Sequence, residues 1–273
     1  MQLIDTHSHL YDEAFDEDRA EALLRAANEG VEKLLLPAID SESHEALFAL
    51  ARRDRSRLIP MMGLHPTSIN DNPHWREELA LVEKYLATPP EGIAPFCAVG
   101  EIGLDFYWSS DFKDEQTEAF IYQLRLAAER DLPVAIHTRA AWEAMSEVIG
   151  SEWQRAREAG KRLRGVFHAF SEDAATYRRL KELTHGDFCF GIGGVVTYKK
   201  SVVATAVPEM ELRDILLETD CPYLTPVPHR GKRNESSYVS HTCRKVAELK
   251  GVDPATVATQ TTENSQRLFN LNA

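Results

Sequence analysis

No two cysteines in this chain lie close together. Its four, Cys97, Cys189, Cys221 and Cys243, are scattered, so neighbouring thiols build neither a zinc ribbon nor a redox pair, and they read as reduced thiols of a cytoplasmic protein. Long apolar runs are absent too. The longest, around Leu34 to Ile39, is far shorter than the roughly 20 residues that cross a bilayer. The start Met1-Gln2-Leu3-Ile4 runs straight into Asp5, so neither a signal peptide nor a membrane anchor is expected. Basic charge is in deficit: 31 Lys and Arg against 43 Asp and Glu leave a formal net charge of -12. That argues against holding nucleic acid by a broad basic surface, but not against an anionic substrate, because bound divalent cations reverse the field locally. No repeat, low-complexity tract or linker is visible, and the Pro-rich stretch Thr225 to Pro228 reads as a loop. One domain over residues 1–273 is therefore expected.

What is present is an alternation of short apolar runs with helical patterns. Strands are predicted at Leu3 to Asp5, Lys33 to Ala38, Leu58 to Gly63, Phe96 to Val99, Pro133 to Ile136, Gly165 to Phe167, Asp187 to Ile192 and Ile215 to Thr219. Helices are predicted before Gly30, with Leu23, Leu24 and Ala27 on one face, and near Trp75 to Leu86, Asp114 to Arg130 and 140–158, with two more after Tyr238. Eight strands each feeding a helix, in a chain near the roughly 250 residues typical of the fold, predict an α/β class protein: a single, distorted eight-fold β/α (TIM) barrel.

Histidines and carboxylates cluster at the carboxyl ends of these strands, the rim where barrel enzymes keep their chemistry. His7 and His9 follow the first; they are two residues apart, so strand alternation points both rings to one side. Glu101 follows the fourth strand, His137 the fifth, His168 the sixth and Asp220 the eighth. A single buried histidine is ordinarily a packed core residue, but six such groups at one end of one barrel predict a metal site.

The motifs resemble those of the TatD-type metal-dependent deoxyribonucleases of the amidohydrolase superfamily. The resemblance runs through DTHSHL (5–10), GLHP (63–66), GEIGLDFY (100–107), IHTR (136–139), FHAFS (167–171), ETDCPYL (218–224), PHRGKRNE (228–235) and TTENSQRLF (261–269). It implies a two-metal centre in which His7, His9, Glu101 and Asp220 hold one ion and Glu101 bridges to a second held by His137 and His168. Ala169 stands where the family often has cysteine, and Ser236 where a proline often follows the NE pair; neither is an expected ligand.

The chemistry suits this inventory. Hydrolysing a phosphodiester needs an activated water and cations to absorb developing charge, and two ions about 3.5 to 4 Å apart do both. A carboxylate such as Glu101 spans two cations where a neutral imidazole does not, and Asp220 is the candidate acceptor of the water's proton. By ligand softness the set favours zinc, manganese or iron, while the resemblance implies that magnesium or manganese supports turnover. Two divalent ions per chain are expected, with magnesium, manganese and zinc as the candidates.

Beside Asp220, His229, Arg230, Lys232 and Arg233 surround Gly231, a composition suited to clamping phosphate. Alone this would be a solvated basic turn; its adjacency to a ligand makes Arg230, Lys232 and Arg233 candidate substrate contacts. His65 at the third strand end and Arg139 beyond His137 are two more. Phe106, Tyr107 and Trp108 either stack unpaired bases or pack their own loop. The expected partner is DNA, more readily single-stranded because a duplex must fray to reach the floor of a barrel mouth, and trimmed from its ends. No membrane and no obligate protein partner are implied. The alternative is a bimetal amide or ester hydrolase such as an aminoacyl-tRNA deacylase; a small carbonyl substrate would have no use for the clamp.

Overall fold

A computed structural model describes residues 1–271, so the last two positions of the expected 1–273 unit lie outside the described residues. The elements run β1 (Leu3–Asp5), α1 (Arg19–Asn28), β2 (Val31–Leu36), α2 (Ser41–Ala51), β3 (Leu58–Pro60), α3 (Trp75–Ala87), β4 (Val99–Asp105), α4 (Lys113–Glu129), β5 (Val134–Arg139), α5 (Trp142–Glu158), β6 (Gly165–Phe167), α6 (Ala174–Leu183), β7 (Phe188–Ile192), α7 (Val203–Ala206), β8 (Ile215–Leu217), α8 (Val239–Lys250) and α9 (Pro254–Phe269). All strand pairs are parallel, in two arcs ordered β1-β2-β3 and β4-β5-β6-β7-β8.

Backbone hydrogen bonds cross both gaps between the arcs. Cys97 N donates to Pro60 O at 3.0 Å and Gly100 N to Met62 O at 3.1 Å; on the other side Thr6 N donates to Leu217 O at 3.1 Å and His9 N to Cys221 O at 2.9 Å. The ring is the expected β/α barrel. Its interior takes alternate residues: Ile4, Leu35, Ile59, Ala135, Val166, Cys189 and Leu216 form one cluster, plugged by Leu268 and Phe269 of α9. Their neighbours Leu3, Leu34, Val134, Phe167, Phe190 and Leu217 face the helices in a second cluster.

Local chemistry sets several elements. α2, which periodicity alone did not reveal, starts at a capping box between Asp40 and Ser43, and α9 starts at Asp253 followed by Pro254. α1 buries Ala22 and Ala26 instead of the expected Leu24 and Ala27, both of which are exposed. Arg25, hydrogen-bonded through Nε and Nη2 to Glu235, fixes that rotation. β4 lies further along than Phe96 to Val99, because the ladder to β5 shifts register between Val99 and Ile102 and resumes through Asp105. Two buried amides of α4 act as extra strand partners: Gln116 bonds both N and O of Asp105, and Gln123 both N and O of Leu64. The end of β4 at Asp105 and the loop leading into His65 are thus fixed from behind.

Candidate metal centre

Side chains hold the segment after β1. Buried Asp5 accepts from Thr219 N at 2.9 Å and Thr219 Oγ1 at 2.7 Å, tying it to the segment after β8; burial pushes its carboxyl up to about 7 against those bonds. Ser8 turns towards Ser236, with their Oγ atoms 3.0 Å apart, so by alternation His7 and His9 turn the other way. Their Nε2 atoms lie 3.1 and 3.5 Å from Glu101 Oε2.

Glu101 sits inside β4 and divides its two oxygens between two sets of imidazoles. Oε2 faces His7 and His9, while Oε1 lies 3.1 Å from His137 Nδ1, 3.6 Å from His65 Nε2 and 3.8 Å from His168 Nε2. Asp220 Oδ1 lies 3.4 Å from His168 Nε2, 3.5 Å from His9 Nε2 and 3.9 Å from His7 Nε2. The six predicted ligands therefore meet. Burial pushes the Glu101 carboxyl up, but His7, His65 and His137 outweigh it and hold it well below the carboxylate range. Asp220 follows the same pattern, with burial opposed by His168 and His9. Gly103, at φ 146°, permits the close approach of β4 to β5, since a Cβ there would lie 2.0 Å from the His137 carbonyl oxygen.

Three residues that the sequence reading missed settle the protons. Tyr11 Oη donates to Pro37 O at 2.7 Å, so it accepts from His9 Nδ1, 3.0 Å away. Asp105 Oδ2 lies 2.8 Å from His137 Nε2, and Glu218 Oε1 lies 3.0 Å from His168 Nδ1. Glu218 finds room because residue 191 is glycine: a Cβ there would sit 2.0 Å from its Oε2. His9 Nδ1 and His137 Nε2 thus each have a hydrogen-bond partner and His168 Nδ1 faces a carboxylate, whereas His7 Nδ1 is buried without a partner; the inner nitrogens point at Glu101 or Asp220. A lone pair facing a carboxylate oxygen is repulsive unless a cation lies between them. Without a metal, protons take that place only in part: although burial opposes it, Asp105 and Glu101 push His137 up to about 9 and Glu218 and Asp220 push His168 up, whereas burial and His168 push His7 down. Inward imidazole nitrogen and carboxylate oxygen, at donor separations matching ions with bonds of about 2.0 to 2.2 Å, fit a divalent cation. Three groups of side chains able to hold a metal overlap here: His7, His9 and Asp220; His7, Glu101 and His168; and His65, Glu101 and His137.

Asp105→Asn should weaken binding at the His137 side. The amide accepts a proton less well and can present N–H to Nε2, so affinity for manganese should fall roughly 10- to 100-fold, measured by titration of the chelated protein. An unchanged affinity would remove Asp105 from the positioning role.

The predicted substrate contacts divide. His65 is buried beside the centre, its ring edge-on to His137. Its Nδ1 accepts from Thr67 N at 3.2 Å, which leaves the proton on Nε2, so in that tautomer it presents a donor to the centre, and it would have to lose that proton to join Glu101 and His137 as a metal ligand. Arg139, Arg230 and Lys232 are exposed at the mouth, Arg230 lying over the Tyr198 ring at 4.0 Å. Arg233 is the correction: it forms a bidentate pair with Asp18 at 2.7 and 2.8 Å and stacks over Phe15, which takes it out of a free phosphate clamp. His229 is likewise occupied, stacked on Tyr238 with its Nε2 3.1 Å from that of His241. Of the two departures from the family pattern, Ser236 braces Ser8, and Ala169 N donates to Glu218 at 2.6 Å. The four cysteines are buried free thiols, and no helix among the described residues is long and apolar enough to cross a membrane.

Comparison with known proteins agrees in sequence and in shape. The profile of the family described as TatD related DNase matches residues 4–270. The metal-dependent hydrolase YabD of Bacillus subtilis is 34% identical over 99% of this chain and 100% of its own. A Cronobacter sakazakii protein named 3'-5' ssDNA/RNA exonuclease TatD is 34% identical over 95% of this chain and 94% of its own. The crystal structure of the TatD homologue YjjV of Escherichia coli superposes with a TM-score of 0.84 at 29% identity, covering 98% of each chain.

Proposed function

Since the chain belongs to the TatD-related DNase family of metal-dependent hydrolases, we propose that it cleaves phosphodiester bonds of single-stranded DNA from an end, with two divalent ions held at the centre described above. His7, His9, Glu101 and Asp220 would hold one ion, and Glu101, His137 and His168 the other. The observation that carries this reading is the division of the Glu101 oxygens between two sets of inward nitrogens. Bound ions would lower the pKa of water and absorb charge developing on the phosphate.

The residues do the rest. Asp220, 16% exposed against 3% for Glu101, is the carboxylate that meets the mouth and takes the proton of the attacking water. His65 offers its Nε2 proton to a phosphate oxygen. Arg230 and Lys232 steer the strand, and Asp105, Glu218 and Tyr11 keep the rings aimed. The end-acting, single-strand reading draws on the name of the Cronobacter relative and on the depth of the site.

The test incubates protein reconstituted with magnesium, manganese or zinc with end-labelled single-stranded DNA, duplex DNA, RNA and aminoacyl-RNA. Stepwise loss of nucleotides from one end of the single strand, abolished by chelation and restored by metal, is expected. Replacing Arg230 or Lys232 by alanine should flatten the salt dependence of strand binding by about 0.7 for each phosphate no longer engaged. Release of the aminoacyl group without strand cleavage would overturn the reading in favour of a carbonyl hydrolase.

A further inference from the structure

The mouth carries exposed aromatic surface that the proposed chemistry does not use. Tyr107 is 59% exposed, Trp108 67% and Tyr223 58%, although burial of such rings is ordinarily favourable. Packing of their own loop, the other reading of Tyr107 and Trp108, does not account for that exposure. The two rings stand edge to face with centroids 5.1 Å apart, and the Arg139 guanidinium lies 3.7 Å from the Tyr107 ring centre and 5.2 Å from that of Trp108. The Arg139 side chain makes no hydrogen bond or ion pair to any described residue, so the edge of its guanidinium is open.

This cluster is anchored to the centre itself. Tyr107 N donates to Asp105 Oδ1 at 3.0 Å, and the other oxygen of that carboxylate is the partner of His137. Phe106 N bonds Arg139 O at 3.0 Å, and Arg139 follows His137 by two residues, a rise of about 7 Å along the strand. Tyr223 lies on the opposite wall: β8 is four strands from β4 in the ring, and Tyr223 N closes a turn onto Asp220 O at 2.8 Å. Aromatic faces thus stand on both sides of the carboxylates and histidines, each tied to a residue of the centre.

We propose that this rim is a stacking site for unpaired bases, one on the Trp108–Tyr107–Arg139 cluster and another on Tyr223, flanking the phosphate at the centre. The proposal rests on the phosphodiester reading and names its substrate more closely. An open guanidinium edge beside an aromatic face matches the two halves of a nucleotide, its phosphate and its base. Stacking accepts every base because each has a π face, so the site selects single strands without selecting sequence. Paired bases are already stacked and present no free face.

The test compares metal-loaded wild type and Trp108→Ala in binding non-hydrolysable oligothymidylate and an abasic strand of the same length, with strand cleavage assayed separately. Trp108 is exposed, so the variant is expected to fold, and Trp108→Phe keeps a ring. Wild type should prefer the strand with bases by roughly 5- to 150-fold for each stack. Trp108→Ala should lose one such factor for oligothymidylate and little for the abasic strand, Trp108→Phe should recover most of it, and Tyr223→Ala should behave likewise. Equal wild-type affinity for both strands, or an equal loss for both in Trp108→Ala, would overturn the proposal. So would loss of self-association in Trp108→Ala with strand binding unchanged, which would make the rim a protein contact. Failure to cleave any strand while the base preference persists would instead strike the phosphodiester reading alone.

Discussion

Glu101→Ala should reduce bound metal from two ions to fewer than one per chain and lower strand cleavage by about 1,000-fold or more. The magnitude follows from removing several kcal/mol of charge stabilisation supplied by bound ions. No neighbour can substitute. Among the described residues Glu101 is the one carboxylate whose two oxygens serve both sets of imidazoles, and Asp220 Oδ1 faces His7, His9 and His168 but not His137 or His65. Elemental analysis of the purified variant, together with initial rates at saturating manganese, checks both halves. Two tightly held ions and a rate within ten-fold of wild type would mean that Glu101 bridges nothing.

The second large effect concerns Asp220. Asp220→Asn keeps the side chain's size and leaves one oxygen to face His9 and His168, 3.5 and 3.4 Å away, but removes the charge and most of the basicity. Turnover should fall by roughly 100-fold or more, in line with general-base contributions, while affinity for a non-hydrolysable strand changes less. Single-turnover rates and equilibrium binding separate the two. Near-normal turnover would require another group to accept the proton, and Glu101, at 3% exposure, is a poorer candidate.

That the six candidate ligands would converge could be read in advance because each follows an apolar run whose strand character is visible from two-residue alternation. The same alternation would have found the residues that were missed. Tyr11 stands two positions after His9, Asp105 four after Glu101 and Glu218 two before Asp220, all on the side of the chain their neighbours already marked. They were overlooked because a carboxylate or tyrosine at a strand end does not announce which imidazole nitrogen it will hold. Arg233 shows the opposite limit: its partner Asp18 is 215 residues away, and nothing in PHRGKRNE says which of its basic residues finds an acid. The offset of β4 escaped for a local reason, the register shift that places Glu101 within a strand whose apolar start lies earlier.

The seams of the ring carry a last consequence. The two arcs meet through backbone bonds at both edges, and inside the ring His7, from the three-stranded arc, also touches Glu101, from the five-stranded one, across the width of the mouth. Whatever sits between those side chains is a crosspiece bracing the two halves of the cylinder, and the unfolded chain, with these residues far apart, offers it no such seat. If the centre holds cations as proposed, their binding and the cohesion of the barrel would be a single equilibrium, and the supply of cation would set how firmly the walls are held together as much as how fast the proposed reaction runs.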